Sequence, residues 1–425
     1  MDPELTLVLW TLLVAALVSV SCAIVGCYLV LRKLSLIGDA ISHAVLPGIV
    51  LVYLQFETRT GIPLLIGAVL TGLLTAFLTT LVSKGSGVRE DAGMGIVFTS
   101  MFALGVVMIS RNLRQVDLDV NCVLMGQLEL VPHQTSLMYG IEVPDMIPRL
   151  ALVFLGVCAF VLLCWKELKI ASFDPALATA MGISATLFHY LLMATTATVT
   201  VASFEAVGSI LVIAMLIVPP AAAHLLTTRL RNMMLVSALL ALGAAVGGIL
   251  AARFFNANYA GMMSVVAGVE FGLAVLFAPH TGVVQRMIRS VKLRFRIVAE
   301  DVLALLYRRE EVQSETPRVV VHRVTGRWFR RFVLGWLHRK HLVQLSPGGM
   351  LELTDDGRRR AASLVRAHRL WETYLQNEMA LPSDHLHEPA EWMEHYIDEE
   401  MQKELHQQVG QPAQDPHGRP IPPVG

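Results

Sequence analysis

The chain is short of the residues that soluble enzymes and secreted disulfide proteins depend on. Five cysteines occur among 425 residues, Cys22, Cys27, Cys122, Cys158 and Cys164, and none forms a CxxC pair or lies beside a histidine. They read as apolar packing residues, which excludes a disulfide framework and a thiolate zinc site. Only 16% of residues are charged, and the formal net charge is zero, so no overall field points to nucleic acid or to an acidic partner. No GxxxxGK[ST] phosphate loop occurs, since the glycines of 84–93 lack the spacing that sets a lysine on phosphates. The chain is expected to bind no ATP and to be no enzyme. The opening MDPELTLVLW has no basic n-region or small-residue cleavage site, so the first apolar run is expected to stay in the membrane as a helix.

What is present is unevenly placed. Residues 5–283 are almost wholly apolar, whereas 284–425 hold most of the charge. Apolar runs at 5–31, 36–54, 62–83, 93–110, 149–165, 184–203, 207–226, 233–253 and 263–281 have the length that crosses ~30 Å of hydrocarbon, predicting about nine transmembrane helices. Basic residues recur after every second run, at Arg32–Lys33, Lys84 and Arg89, Lys166–Lys169, Arg229–Arg231 and Arg286–Arg296. Those loops and the C-terminal half are therefore expected on the cytoplasmic side of a multi-pass membrane protein. The expected fold is an all-α polytopic membrane domain over 1–283, a basic juxtamembrane linker over 284–297, and a mainly α cytoplasmic part with a winged-helix-like region over 298–360 and a metal-binding region over 361–425.

Inside the apolar half, LSLIGDAISHAVLPG sets Asp39 and His43 four residues apart, on one helix face. A central Asp costs at least ~2.5 kcal/mol on insertion scales, so ionisable groups in a bilayer face a partner or a polar path. A carboxylate oxygen and an imidazole nitrogen together suit a divalent cation. The plainer alternative is a pair that only satisfies itself between helices. Gly38 and Pro47–Gly48 flank the pair and would let the helix break or its neighbours approach. Glu205, Glu270, His189 and His224 read mainly as packed or interfacial polar residues, and Pro219–Pro220 as a kink. In KIASFDPALATAMGIS, Asp174-Pro175 is a helix-start signal, and the short alanine-rich stretch suits docking to a cytoplasmic partner.

In the charged half, His368 and Glu372 are spaced i,i+4, and His387, Glu391, Glu394 and His395 are spaced to share one side of a second helix. Three histidines with three carboxylates on two helices suit a first-row divalent metal. A merely solvated helix would explain the acids but not the histidines.

Four ordered blocks, YLVLRKLSLIGDAISHAVLPG, EDAGMGIVFTSMFALGVVMIS, FDPALATAMGI and GSILVIAMLIVPPAAAHLL, resemble the permease family of manganese, zinc and iron ABC importers over 5–283. The resemblance implies a second permease subunit, ABC ATPase subunits and an extracytoplasmic metal-binding protein as partners, besides membrane lipid. It implies that Asp39 and His43 contact the metal in its pathway, and that Asp174, Pro175, Ala178, Met181 and Gly182 belong to the helix that couples to the ATPase. LTDDGRRRAASLVRAHRLWETYL, HEPAEWMEHYIDEEM and GQPAQDPHGRPIP resemble the diphtheria-toxin-repressor family of metal-dependent regulators, over about 298–422. That likeness implies that 361–425 also serves dimerisation, and it implies one site of Asp301, Glu391, Glu394 and His395 and an ancillary site of His368, Glu372 and His387, holding Mn, Fe or Zn. Oxygen ligands at Asp301 and Glu391, where iron-type members have sulfur, favour Mn(II). The segment PRVVVHRV, where the family's small-residue helix is expected, is β-branched and short, and GRWFRRFVLGWL carries Trp328, Phe329 and Trp336 among its basic residues. The expected function is metal import with a metal-sensing domain regulating transport; the alternative is a membrane-anchored metal-dependent transcriptional regulator that binds DNA.

Overall fold

The computed structural model describes residues 3–34, 36–56, 62–112, 126, 128–131, 135–138, 141–279, 281–312, 327–346 and 350–423. The expected connection PRVVVHRV, Cys122 and Trp328's side chain lie outside them. Contacts divide the chain into two units, Met1–Gln285 and Arg286–Gly425.

The first unit is a helical bundle: α1 (Pro3–Leu31), α2 (Ile37–Ala44), α3 (Leu46–Phe56), α4 (Ile62–Ser86), α5 (Glu90–Asn112), a hairpin of β1 (Thr135–Met138) and β2 (Ile141–Pro144), α6 (Met146–Leu163), α7 (Trp165–Phe173), α8 (Pro175–Ala180), α9 (Ala185–Leu226), α10 (Leu230–Phe255) and α11 (Tyr259–Phe277). Eight helices among the described residues are long and apolar enough to cross a bilayer, α2 and α3 counting together as one span. Hydrocarbon imposes this form, because every backbone polar group must be satisfied within its own segment. Side-chain hydroxyls obey the same constraint: Thr75, Thr196 and Thr198 each donate to the carbonyl four residues back, at 2.8 Å.

The expected runs 184–203 and 207–226 both fall in α9, which is 42 residues long and non-helical at Gly208, with φ 76° and ψ 165°. A straight helix of that length would extend ~63 Å. Instead both halves pack on one short stretch of α1. The Cys22 thiol lies beside Ser203, while Gly26 abuts the Leu216 carbonyl so closely that a Cβ would lie 2.0 Å from it. The chain thus folds back at Gly208, glycine being the residue that adopts positive φ at least cost, while the expected kink site, Pro219–Pro220, lies within the second arm of α9. Both prolines remain inside the helix. At the end of the bundle where α1 finishes, Arg32 Nε donates to Ser172 Oγ at 3.1 Å, bringing two of the basic loops together.

The second unit contains α12 (Val283–Val312, which begins just before the boundary), α13 (Arg327–Arg339), a hairpin of β3 (Val343–Leu345) and β4 (Leu351–Leu353), α14 (Asp355–Met379), α15 (His387–Met393) and α16 (Glu399–Gln408). The segment expected as a linker is therefore helical. The hairpin is antiparallel, pairing Val343 with Leu353 and Leu345 with Leu351, and gives the helix–helix–wing–helix order. Its core joins Val302, Leu303, Leu306, Val333, Leu337 and Leu353. Phe329 and Trp336 join the same core by packing edge-on against Phe295.

Candidate metal sites

In the membrane unit, α2 carries Asp39 in its first turn and His43 in its last. One turn of helix brings His43 Nε2 to 3.5 Å from Asp39 Oδ1, both side chains being partly exposed. The His43 ring lies edge-on to Phe102 of α5, centroids 5.5 Å apart. The helix is interrupted at Val45, whose N–H still donates to the Ile41 carbonyl at 3.1 Å, beside Pro47, which has no amide to donate, and α3 takes over. Gly48 sits so close to α4 that a Cβ would lie 2.2 Å from Thr71 Oγ1. The flanking Gly and Pro thus accompany a helix break and a close helix crossing beside the acid–imidazole pair.

The weaker intramembrane candidates have separate surroundings. Glu205 pairs with Arg149 of α6 at 2.5 Å, and His189 stacks edge-on with Tyr190. His224 is exposed. Glu270 packs on Gly243 through one oxygen, the other being buried without a hydrogen-bond partner among the described residues.

Asp174 caps α8, its Oδ1 accepting from Leu177 N–H at 2.9 Å, with Pro175 in the first turn. A carboxylate at the cap and a proline where no N–H is needed are the local reasons that a helix starts there. Gly182 ends the segment at φ 79°. Ala178 is fully buried, whereas Phe173, Leu177 and Met181 are exposed, so the piece presents an apolar edge held by an inward-facing alanine.

In the second unit, α14 buries His368 and Glu372 at 3% and 2% exposure. His368 Nε2 lies 3.0 Å from both Glu372 Oε1 and His387 Nδ1, and His387 Nδ1 lies 3.1 Å from the same Glu372 oxygen. Three donor atoms thus converge on one point. On its other side His368 Nδ1 faces Glu394 Oε2 at 2.7 Å, a carboxylate that holds the ring in place. Lone pairs crowded on one point are what a cation would relieve, so these residues fit a divalent metal.

A second group gathers at the end of α15, where Asp301 of α12, Glu394 and His395 bring one ligand atom each within 4.8 Å of one another. His395 Nε2 is 3.2 Å from Asp301 Oδ1 and Nδ1 is 3.0 Å from Glu300 Oε2. Burial acts to lower the His395 pKa, but the bonds to Asp301 and Glu300 outweigh it and raise the ring to about 9. Burial likewise opposes the charged form of Glu372, and bonds from His368 and His387 override it, holding the carboxyl at about 2. Arg308 and Arg296 balance the acids, contacting Glu394 at 3.2 Å and Glu300 at 2.9 Å.

Most of the expected ligands are brought together, with one reassignment. Glu391 is not in the group of Asp301, Glu394 and His395; its Oε1 lies 3.3 Å from His387 Nε2, on the side of the ancillary set. The reason is local: α15 ends at Met393, so Glu394 and His395 occupy the following turn instead of continuing one helical face. Asp398 then caps a new helix, accepting from Met401 N–H. Sequence reasoning passed over Glu300, Asp415 and His417. The last two form a third group with Glu372, set by an Asp415 turn that accepts from the His417 and Arg419 amides at 2.9 and 2.8 Å. The DPHG stretch, with its Asx-turn chemistry, was the available signal.

The first unit matches the ABC 3 transport family over residues 4–278, and residues 354–423 match the iron dependent repressor, metal binding and dimerisation domain. The chain is 44% identical over 286 residues to the manganese transport system membrane protein MntD of Bacillus subtilis (strain 168), covering 67% of this chain and 97% of that one. It is 40% identical over 288 residues to the zinc transport system membrane protein TroD of Treponema pallidum (strain Nichols), covering 67% of this chain and 78% of that one. The solved structure of PsaBC from Streptococcus pneumoniae in complex with Fab aligns with TM-score 0.56 and 31% identity, over 67% of this chain and 94% of that chain. The chain therefore belongs to the ABC 3 transport family, as a multi-pass membrane protein that carries an iron-dependent-repressor type of metal-binding and dimerisation domain at its C-terminal end.

Proposed function

We propose that this protein is the permease subunit of an ATP-driven importer of a divalent transition metal, Mn(II) foremost and Zn(II) or Fe(II) next, and that its C-terminal unit is a cytoplasmic metal sensor regulating transport. The observation that carries the reading is the presence, in one covalent chain, of an acid–imidazole pair within a membrane bundle and a separate buried set of imidazoles and carboxylates. Asp39 and His43 contact the cation in passage. Phe173, Leu177 and Met181, held out by the Asp174-capped α8, meet a separate ATPase subunit. A second permease subunit and an extracytoplasmic metal-binding protein complete the importer, as the family likeness supports.

In the sensor, His368, Glu372 and His387 would hold one ion and Asp301, Glu394 and His395 another. A bound ion supplies positive charge that replaces the protons now shared among these ligands. A sensor fused to an importer experiences the concentration that the importer raises, which suits feedback inhibition. A ~100-fold preference of metal for the inhibiting conformation supplies ~2.7 kcal/mol, enough to change activity severalfold or more. In proteoliposomes holding the complete complex, cytoplasmic-side Mn(II) slows ATP-driven uptake, and His368→Ala with His395→Ala relieves the inhibition. Undiminished inhibition in that double mutant removes the sensor from the reading.

The exposed Arg331, Arg339 and Lys340 around α13 favour a second reading, a membrane-anchored metal-dependent transcriptional regulator. Metal-dependent, sequence-specific retardation of DNA by the protein at physiological salt would decide for it.

A further inference from the structure

The apolar stripe of α12 is continuous, but only half of it is covered. Val284, Met287, Ile288 and Val291 recur at helical spacing, and the same face continues into Phe295, Val298 and Val302. From Phe295 onward it packs into the core of the second unit. Before Phe295 the positions stay open: Met287 is 68% exposed, Val291 51% and Ile288 43%, and every residue over 286–294 is exposed. Arg286, Arg289, Lys292 and Arg296 follow at spacings of three, three and four along one flank and the back of the helix, and the row ends where Arg296 turns to Glu300.

Two observations select the occupant of this face. Only residues 278–282 separate the end of the last membrane helix, Phe277, from Val283, a tether that even fully extended reaches less than ~20 Å. The tether is also closed into a turn, the Gly282 amide donating to the Ala278 carbonyl at 3.0 Å, so the helix starts close to the end of the last membrane helix and to the headgroup layer. An apolar stripe backed by a basic row is also the pattern of helices that lie in a bilayer surface.

We propose that Val283–Arg294 is an interfacial helix, its basic row binding the anionic phospholipid headgroups of the inner leaflet and its apolar face seated at the acyl-chain boundary. The assignment of leaflet rests on the cytoplasmic placement of the C-terminal unit proposed above. Lipid would thereby bind the same helix that carries Glu300 and Asp301.

The test uses the full-length permease in its complete complex, with Ile288→p-benzoyl-phenylalanine as a photo-cross-linker. On illumination in native membranes, position 288 yields a lipid adduct recognised by its mass, while Ser290→p-benzoyl-phenylalanine, about 200° round the helix, yields far less. In nanodiscs, adding phosphatidylglycerol to phosphatidylcholine raises the adduct yield, and Arg286→Gln, Arg289→Gln and Lys292→Gln together abolish the gain, each charge being worth about 5-fold in the docked-to-free ratio. A cross-link to the ATPase subunit or to a second permease copy, no adduct, or equal yields with and without phosphatidylglycerol overturns the proposal. Modification of Lys403 by a membrane-impermeant amine reagent, compared between intact cells and inverted vesicles, reports the side of the C-terminal unit by itself. A wrong leaflet is thus told apart from a helix that binds no lipid.

Discussion

His368 Nε2 and His387 Nδ1 face each other at 3.0 Å, with one Glu372 oxygen within 3.1 Å of both. Two ring nitrogens at that separation can share only one proton, so the contact is satisfied by a proton or a cation and by nothing neutral and aprotic. Titration calorimetry on the purified protein should show Mn(II) binding that His368→Ala weakens by more than the ~10–100-fold typical of losing a residue that only supports a ligand. His385→Ala, whose exposed ring pairs with exposed Asp384, should leave the isotherm unchanged.

Asp39→Ala and His43→Ala should each abolish metal uptake in cells while leaving membrane insertion and complex assembly intact. Both side chains are partly exposed, so truncation creates no core cavity and stability should change by under about 1 kcal/mol. Normal metal accumulation by a well-expressed double mutant would reject the pathway assignment.

Ala178→Pro removes the amide that donates to the Asp174 carbonyl at 3.0 Å, and Asp174→Lys removes the cap of α8, worth ~1 kcal/mol. In reconstituted complexes both should depress uptake severalfold while ATP hydrolysis continues. Met181→Glu, which puts charge on the exposed apolar edge without touching the helix start, should do the same. Transport at the normal rate by all three moves the docking surface elsewhere.

Arg369 is buried at 2% exposure, forks onto both Glu311 oxygens at 3.0 and 2.5 Å, and reaches Asp415 at 3.5 Å. Arg369→Ala strands those carboxylates and should cost ~3–5 kcal/mol, read as a lower unfolding midpoint of the C-terminal unit. It should also loosen the Asp415 turn that presents His417. Arg359→Ala, which breaks only the exposed pair with Asp356, should cost under ~0.5 kcal/mol.

The apolar runs were legible in the sequence because hydrocarbon tolerates so few backbone forms, and His368 with Glu372 because helix geometry alone makes i,i+4 residues neighbours. What escaped is tertiary in origin. Pro219–Pro220 drew the eye as the kink, yet the Gly208 reversal depends on both halves of α9 meeting α1. The neighbour of Glu391 depends on α15 stopping at Met393, a boundary set by the capped helix that follows. Glu300 meets His395 across 95 residues of chain, and no local spacing announces such a pair. Asp415 and His417 lie in GQPAQDPHGRPIP, but only the turn brings them to Glu372.

The reversal within α9 also bears on biogenesis. Its only non-helical residue is Gly208, so no loop joins the two arms that could be translocated as a hydrophilic segment. The arms must enter the lipid together as a hairpin, since an arm inserted by itself would drag part of its apolar partner through the aqueous exit of the insertion machinery. The charge nearest the tip, on Glu205, finds its counter-ion on Arg149, a residue of α6 already synthesised when the tip emerges from the ribosome.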